Sequence, residues 1–184
     1  EYNDAILEGF RITKGRGVFS HASRRGGGIF AENASPTIAS NLLVENTAEW
    51  GGGAYLSVNS EPGVFTNNSV ESNEASFNAG GIALSGDWRV FSNVFSGNSV
   101  VSGDGGAVWA LGGALSTLSV QVEGNVIVGN VAGDHGGGIY MGIANAAISS
   151  NLIIGNTAKG RAGIRFSGGG IWLARGDYTV HHNT

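Results

Sequence analysis

Cysteine is absent from the 184 residues, so disulfide bridges and thiolate metal sites are excluded. That absence fits a bacterial or archaeal surface protein. Proline occurs only 2 times. Charged side chains make up 13 % of the chain, against roughly a quarter in an ordinary soluble domain. No apolar run approaches the ~18 residues of a membrane-spanning helix. Basic runs and RNA-binding signatures are missing and the net charge is −4, so nothing points to nucleic acid. The glycine runs are not followed by Lys-Ser/Thr and open no helical pattern, which removes nucleotide binding. The calcium-binding glycine-aspartate nonapeptide is also missing. The chain starts at Glu1 without a signal peptide, and is expected to be a processed chain or a piece of a longer one.

What is present is glycine, 33 residues of it, in register with asparagine. Glycine without proline argues against a disordered linker or collagen. A glycine-rich tripeptide followed by an apolar residue recurs six times, at 26–29, 51–54, 79–82, 105–108, 136–139 and 168–171. Its middle residue is glycine in every copy: Gly27, Gly52, Gly80, Gly106, Gly137 and Gly169. Between the copies runs Asn-x-x-x-x-Asn, as Asn41/Asn46, Asn68/Asn73, Asn93/Asn98, Asn125/Asn130 and Asn151/Asn156, with another begun at Asn183. Apolar columns flank these asparagines. Ile38, Phe65, Val90, Val122, Ile148 and Val180 stand three before the first Asn, and Leu43, Val70, Phe95, Ile127 and Ile153 two after it. Ala48, Ala75, Val100, Ala132 and Ala158 stand two after the second. Period-two spacing with no sustained 3.6 period reads as three short strands per repeat.

Three short strands cannot bury their apolar face alone, so the units must stack, each strand about 4.8 Å from its neighbours. The expected fold is all-β: a parallel β-helix of about six coils. It forms a single domain over 1–184, with an opening turn over 1–25, six glycine-motif repeats over 26–184 and an incomplete last repeat. Six repeats give a rod roughly 25–30 Å long. The asparagines are expected at the bends, where they tolerate left-handed backbone and hydrogen-bond to their equivalents in the next coil. The glycines mark a further bend, through positive φ or through lack of room for a Cβ. Repeats of 25–32 residues are too long and irregular for the left-handed six-residue type.

Gly136-Gly-Gly-Ile-Tyr140 and Asn151-Leu-Ile-Ile-Gly-Asn156 resemble the right-handed parallel β-helix repeat family, of pectin-lyase-like architecture. Residues 6–13 are similar to the first turn of such proteins, and the glycine-asparagine pattern to repeats of adhesins and polymorphic outer-membrane proteins. The resemblance implies a fold shared by adhesins, polysaccharide lyases, glycosidases, epimerases and tailspikes. It leaves function to the outer faces.

One outward column reads Phe30, Tyr55, Ala83, Trp109, Tyr140, Trp172. Its five aromatic residues are candidate ligand-binding groups, for sugar stacking or for a partner surface, or else rings covered by a loop. A second outward face is partly aliphatic, with Leu42, Val44, Val126, Val128, Leu152 and Ile154. It suits cover by another segment or coil-to-coil self-association. Candidate acid-base chemistry gathers before two glycine motifs, with Asp104 and His135 in equivalent places and Asp134 beside them; Arg161 and Arg165, in the following loop of the same edge, join the rings as candidate ligand-binding residues. The last turn offers Arg175, Asp177, His181 and His182, with His182 expected inward in the slot of Ser40, Ser92 and Ser150. Arg24 and Arg25 could meet an anion. The expected function is a non-catalytic structural or binding solenoid of a secreted or cell-surface protein, contacting carbohydrate or protein. No cofactor, metal site, nucleic-acid partner or membrane span is expected. The alternatives are a polysaccharide lyase or related carbohydrate-active enzyme, with calcium in the lyase case, and a fibre-forming subunit.

Overall fold

A computed structural model describes residues 5–58, 61–111, 119–142, 145–160 and 167–184. Among them the chain forms 26 short strands and no helix. One coil runs Thr37–Ala39, Leu42–Val44, Thr47–Trp50, Ala54–Ser57. The next runs Gly63–Thr66, Ser69–Glu71, Glu74–Asn78, Ile82–Ser85, each strand parallel to its counterpart. Four sheets result, of 7, 6, 7 and 6 strands. The coil therefore has four strands where the apolar columns predict three. The glycine tripeptide does more than bend the chain, because it opens a strand of its own.

Inward side chains alternate as a pleat requires. The first sheet buries Ile38, Phe65, Val90, Val122 and Ile148, and the second Leu43, Val70, Phe95 and Ile127. The fourth buries Leu56, Leu84 and Met141. Across the first and second sheets Phe65 stacks on Phe95, with centroids 6.3 Å apart. Each fully buried large side chain contributes about 1.5–3 kcal/mol.

The asparagines are not the left-handed residues. Positive φ falls one position before each ladder asparagine, at Ser40, Asn67, Ser92, Gly124, Ser150 and His182 at the first corner and at Glu45, Ser72, Gly97, Gly129 and Gly155 at the second. That turn swings the following asparagine inward, where it is buried. His182 is consequently exposed, as are Ser40, Ser92 and Ser150, and the expected inward slot does not exist. The amides inside each ladder are saturated. Asn98 Oδ1 accepts from Asn73 N and Nδ2, and its Nδ2 donates to Asn130 Oδ1 and to Val70 O, all at 2.8–3.0 Å. The ladders run from Asn41 through Asn68, Asn93, Asn125 and Asn151 to Asn183, and from Asn46 through Asn73, Asn98 and Asn130 to Asn156.

The third corner needs glycine for two separate reasons. Gly136 has φ +63, and a Cβ on it would lie 2.4 Å from Ile139 O. On Gly106 a Cβ would lie 2.0 Å from Gly137 O in the next coil. Both expected causes therefore act, at adjacent positions.

The opening segment is itself a rung: Ile6–Glu8 pairs with Thr37–Ala39, and Arg11–Thr13 with Leu42–Val44. In the third sheet its place is taken by an antiparallel hairpin, Val18–Ser20 with Ser23–Arg25, turning through His21 and Ala22 at positive φ.

Candidate functional site

The fourth sheet presents its second residue outward. Phe30, Tyr55, Ala83, Trp109, Tyr140 and Trp172 pair in unbroken register along the axis. They are not equally open. Trp109 is 7 % exposed and Ala83 is fully covered. Trp50, from the end of the third-sheet strand, packs edge-on against Trp109 at 5.3 Å and closes the gap left by Ala83. The middle of the row is thus a small second core outside the coil, and the bare strip expected from the sequence is interrupted there. Phe30 stacks on Tyr55 at 5.8 Å and Trp109 on Tyr140 at 6.5 Å, so these rings cover one another's faces. Partly open aromatic surface remains at the two ends.

At one end Arg25 lies over the Tyr55 ring, 4.8 Å from its centre, and donates to Tyr55 Oη at 3.0 Å. Arg25 also stands 4.0 Å from Glu32. Burial raises the Tyr55 phenol above its ordinary value; Arg25 lowers it and Glu32 raises it. At the other end Trp172 meets the His135 ring at 4.4 Å.

His135 belongs to the column that immediately precedes the glycine motif: Arg25, Trp50, Asn78, Asp104, His135. Backbone bonds from Gly26 to Trp50, Gly51 to Asn78, Ala79 to Asp104 and Gly105 to His135 hold these residues one above another. Asn78 Oδ1 accepts from Asp104 N at 2.8 Å, and Asp104 Oδ1 from His135 N at 3.0 Å. The Asp104 carboxylate therefore continues a side-chain ladder up the third corner. It also meets His135 Nδ1 at 2.9 Å. An ionised carboxylate only accepts, so Nδ1 carries the proton of that bond. In the neutral ring this leaves Nε2 as an acceptor. Tyr140, on the adjoining strand, has its phenol raised by burial first, then by Asp104 and Tyr178.

Of the sequence candidates, the structure brings together Asp104, His135, Tyr140 and Trp172. Asp134 is buried one position before His135, its N–H donating to Gly103 O. Arg161 and Arg165 lie outside the described residues. In the last turn His181 and His182 contact each other at 2.8 Å through their Nδ1 atoms and are exposed. Sequence reading missed Trp50, Asn78 and Tyr178. The first two carry a usable signal, because both stand immediately before a glycine motif. Tyr178 donates to Arg175 O at 2.9 Å and closes the last coil.

A family model described as the right-handed β-helix region matches residues 1–127. The chain belongs to the right-handed β-helix family. Comparison with curated proteins and with solved structures finds no match.

In this β-helix the outer third corner combines an acid-imidazole pair with aromatic rings. It can accept and donate hydrogen bonds beside an apolar ledge. Among the described residues no group of three or more His, Cys, Asp or Glu comes together that could hold a metal ion. Among the described residues no helix is long and apolar enough to cross a membrane.

Proposed function

We propose that this β-helix is a non-catalytic binding solenoid of a secreted or cell-surface protein. It contacts carbohydrate where Tyr140 and Trp172 meet the Asp104–His135 pair. The observation that carries the reading is the juxtaposition of partly open rings with a fixed polar pair along one sheet. Rings supply apolar area for the C–H face of a sugar, and the acid and imidazole fix hydroxyls.

Retention on a glycan array tests this. Trp172→Ala and Tyr140→Ala should each weaken retention about tenfold, at roughly 1–3 kcal/mol per lost stacking ring. Retention of a glycan that is equal in wild type and both variants would end the proposal. The Asp104–His135 contact also supports a second reading, a carbohydrate-active enzyme of lyase type. Incubation with uronate polymers, followed by the absorbance of unsaturated products, separates the two. A lyase gives signal that vanishes in Asp104→Ala and His135→Ala. A binder gives none.

A further inference from the structure

The five cations of residues 11–25 are Arg11, Lys14, Arg16, Arg24 and Arg25, half of the 10 Lys and Arg of the chain, and none of its 14 acids lies in that stretch. The chain as a whole is net negative, so this is a local concentration of charge. Arg25 is engaged by Tyr55 and Glu32, as described above. The other four are exposed. Among the described residues none of the four lies within 4.0 Å of a carboxylate. Glu45 and Glu49 border the same shallow grooves as Lys14, Arg16 and Arg24. Glu49 already accepts from the Arg24 backbone N–H at 3.2 Å.

A second observation is independent of charge. The same segment and the residue before it carry large apolar side chains in solvent: Phe19 is 72 % exposed, Phe10 55 % and Val18 45 %. Phe19 and Val18 stand on the hairpin that departs from the coil. Phe19 pairs directly across the hairpin with Arg24. Directly paired residues project to one face, so ring and guanidinium share a face. A soluble polyanion needs only the cations. A surface with an anionic shell over an apolar interior uses both, the rings entering at headgroup depth while Lys and Arg meet phosphates.

We infer that the first coil and its hairpin form a docking surface for an anionic lipid bilayer. Phe19 is the apolar wedge and Lys14, Arg16 and Arg24 are the phosphate-facing groups. Each cation near such a surface strengthens binding about fivefold, and the effect falls within a Debye length of about 8 Å at physiological salt.

Co-sedimentation of the whole chain with vesicles tests the inference. Two compositions are compared, phosphatidylcholine alone and phosphatidylcholine with phosphatidylglycerol in equal parts. The expected result is sedimentation with the anionic vesicles only, weakened by salt. The combined Lys14→Gln, Arg16→Gln, Arg24→Gln variant should bind about a hundredfold more weakly. Phe19→Ser, with every charge kept, should cost about tenfold. Arg89→Gln, an exposed cation on another sheet, should change nothing. These side chains are exposed, and unchanged urea unfolding will show that the variants fold. Absence of sedimentation with anionic vesicles overturns the inference. So does binding that ignores Phe19→Ser while dextran sulfate competes fully, which would assign the patch to a soluble polyanion.

Discussion

The first two corners and the third solve the same problem in opposite ways. At the first two, asparagine recurs in every coil after the opening rung, its side chain is inside, and its carboxamide oxygen accepts from the coil before it. At the third, the residue changes from Arg25 to Trp50, Asn78, Asp104 and His135, the side chains lie on the outer surface, and the bonds from Asn78 to His135 run the other way, each oxygen accepting from the coil after it. A buried amide with four demanding partners tolerates no substitute, so its column is uniform. A corner facing outward loses little when its residue changes, so its column is free to diversify. Variation along the third corner is where this β-helix has room for binding chemistry.

The contrast can be broken most severely from the inside. Asn98→Ala strips partners from Asn73 N and Nδ2 and from Val70 O, all in buried surroundings, while Asn130 Oδ1 keeps the backbone N–H of residue 98. At 1–3 kcal/mol for each unsatisfied group and partial relaxation, it should destabilise by about 4 kcal/mol, read from the urea midpoint. Asn78→Ala removes one acceptor at the outer corner and should cost only about 1 kcal/mol. Equal losses would mean that the third corner is as structural as the others. A second pair separates steric from conformational demand. Gly106→Ala drives a Cβ to 2.0 Å from a backbone carbonyl that cannot move alone, and should cost about 3 kcal/mol. Gly129→Ala meets nothing within 4 Å and suffers only its φ of +63, at about 1 kcal/mol.

This difference in tolerance also decides what could be read from the sequence. The coil was legible because uniform columns leave periodic signals: eleven asparagines, six middle glycines and the apolar positions between them. The fourth strand was not, because its inward residues follow the glycines directly and merge with the bend. The left-handed residue lies one position before each ladder asparagine and is hidden from the sequence, since Ser40, Glu45, Asn67, Gly124 and His182 share no residue type to betray a common backbone state. At the candidate site, Asp104 and His135 could be paired by counting from the glycine motif. Their bonding as ladder members could not, because it depends on where the carboxylate points. Nor could the burial of Trp109, which Trp50 imposes from a neighbouring strand.

Asp104 itself sharpens the comparison. Asp104→Asn keeps an oxygen for His135 N and Nδ1 and removes the charge, so stability should shift by less than about 1 kcal/mol. Asp104→Ala removes the oxygen too, and should lose about 1.5 kcal/mol while freeing the imidazole to rotate. The His135 ring resonances would report the second effect. If Asn and Ala are equally harmful, it is the charge that matters at this corner, and the ladder description of Asp104 is wrong.

The smallest effect concerns the phenol beside that pair. Tyr140 sits with its pKa raised from 10.0, by burial first and by the Asp104 carboxylate second. The folded chain therefore holds this proton more tightly than the unfolded chain does. Its contribution to stability is complete below pH 10.0 and is lost as pH rises through the folded value. Tyr55 adds in the same direction, because burial outweighs the opposing pull of Arg25. Urea midpoints should be flat up to about pH 9 and decline beyond about pH 10, and Tyr140→Phe should reduce the decline without abolishing it. Asp104→Asn should reduce it as well, since the carboxylate is one cause of the shift. An alkaline decline untouched by either substitution would place the Tyr140 hydroxyl outside the influence of the third corner.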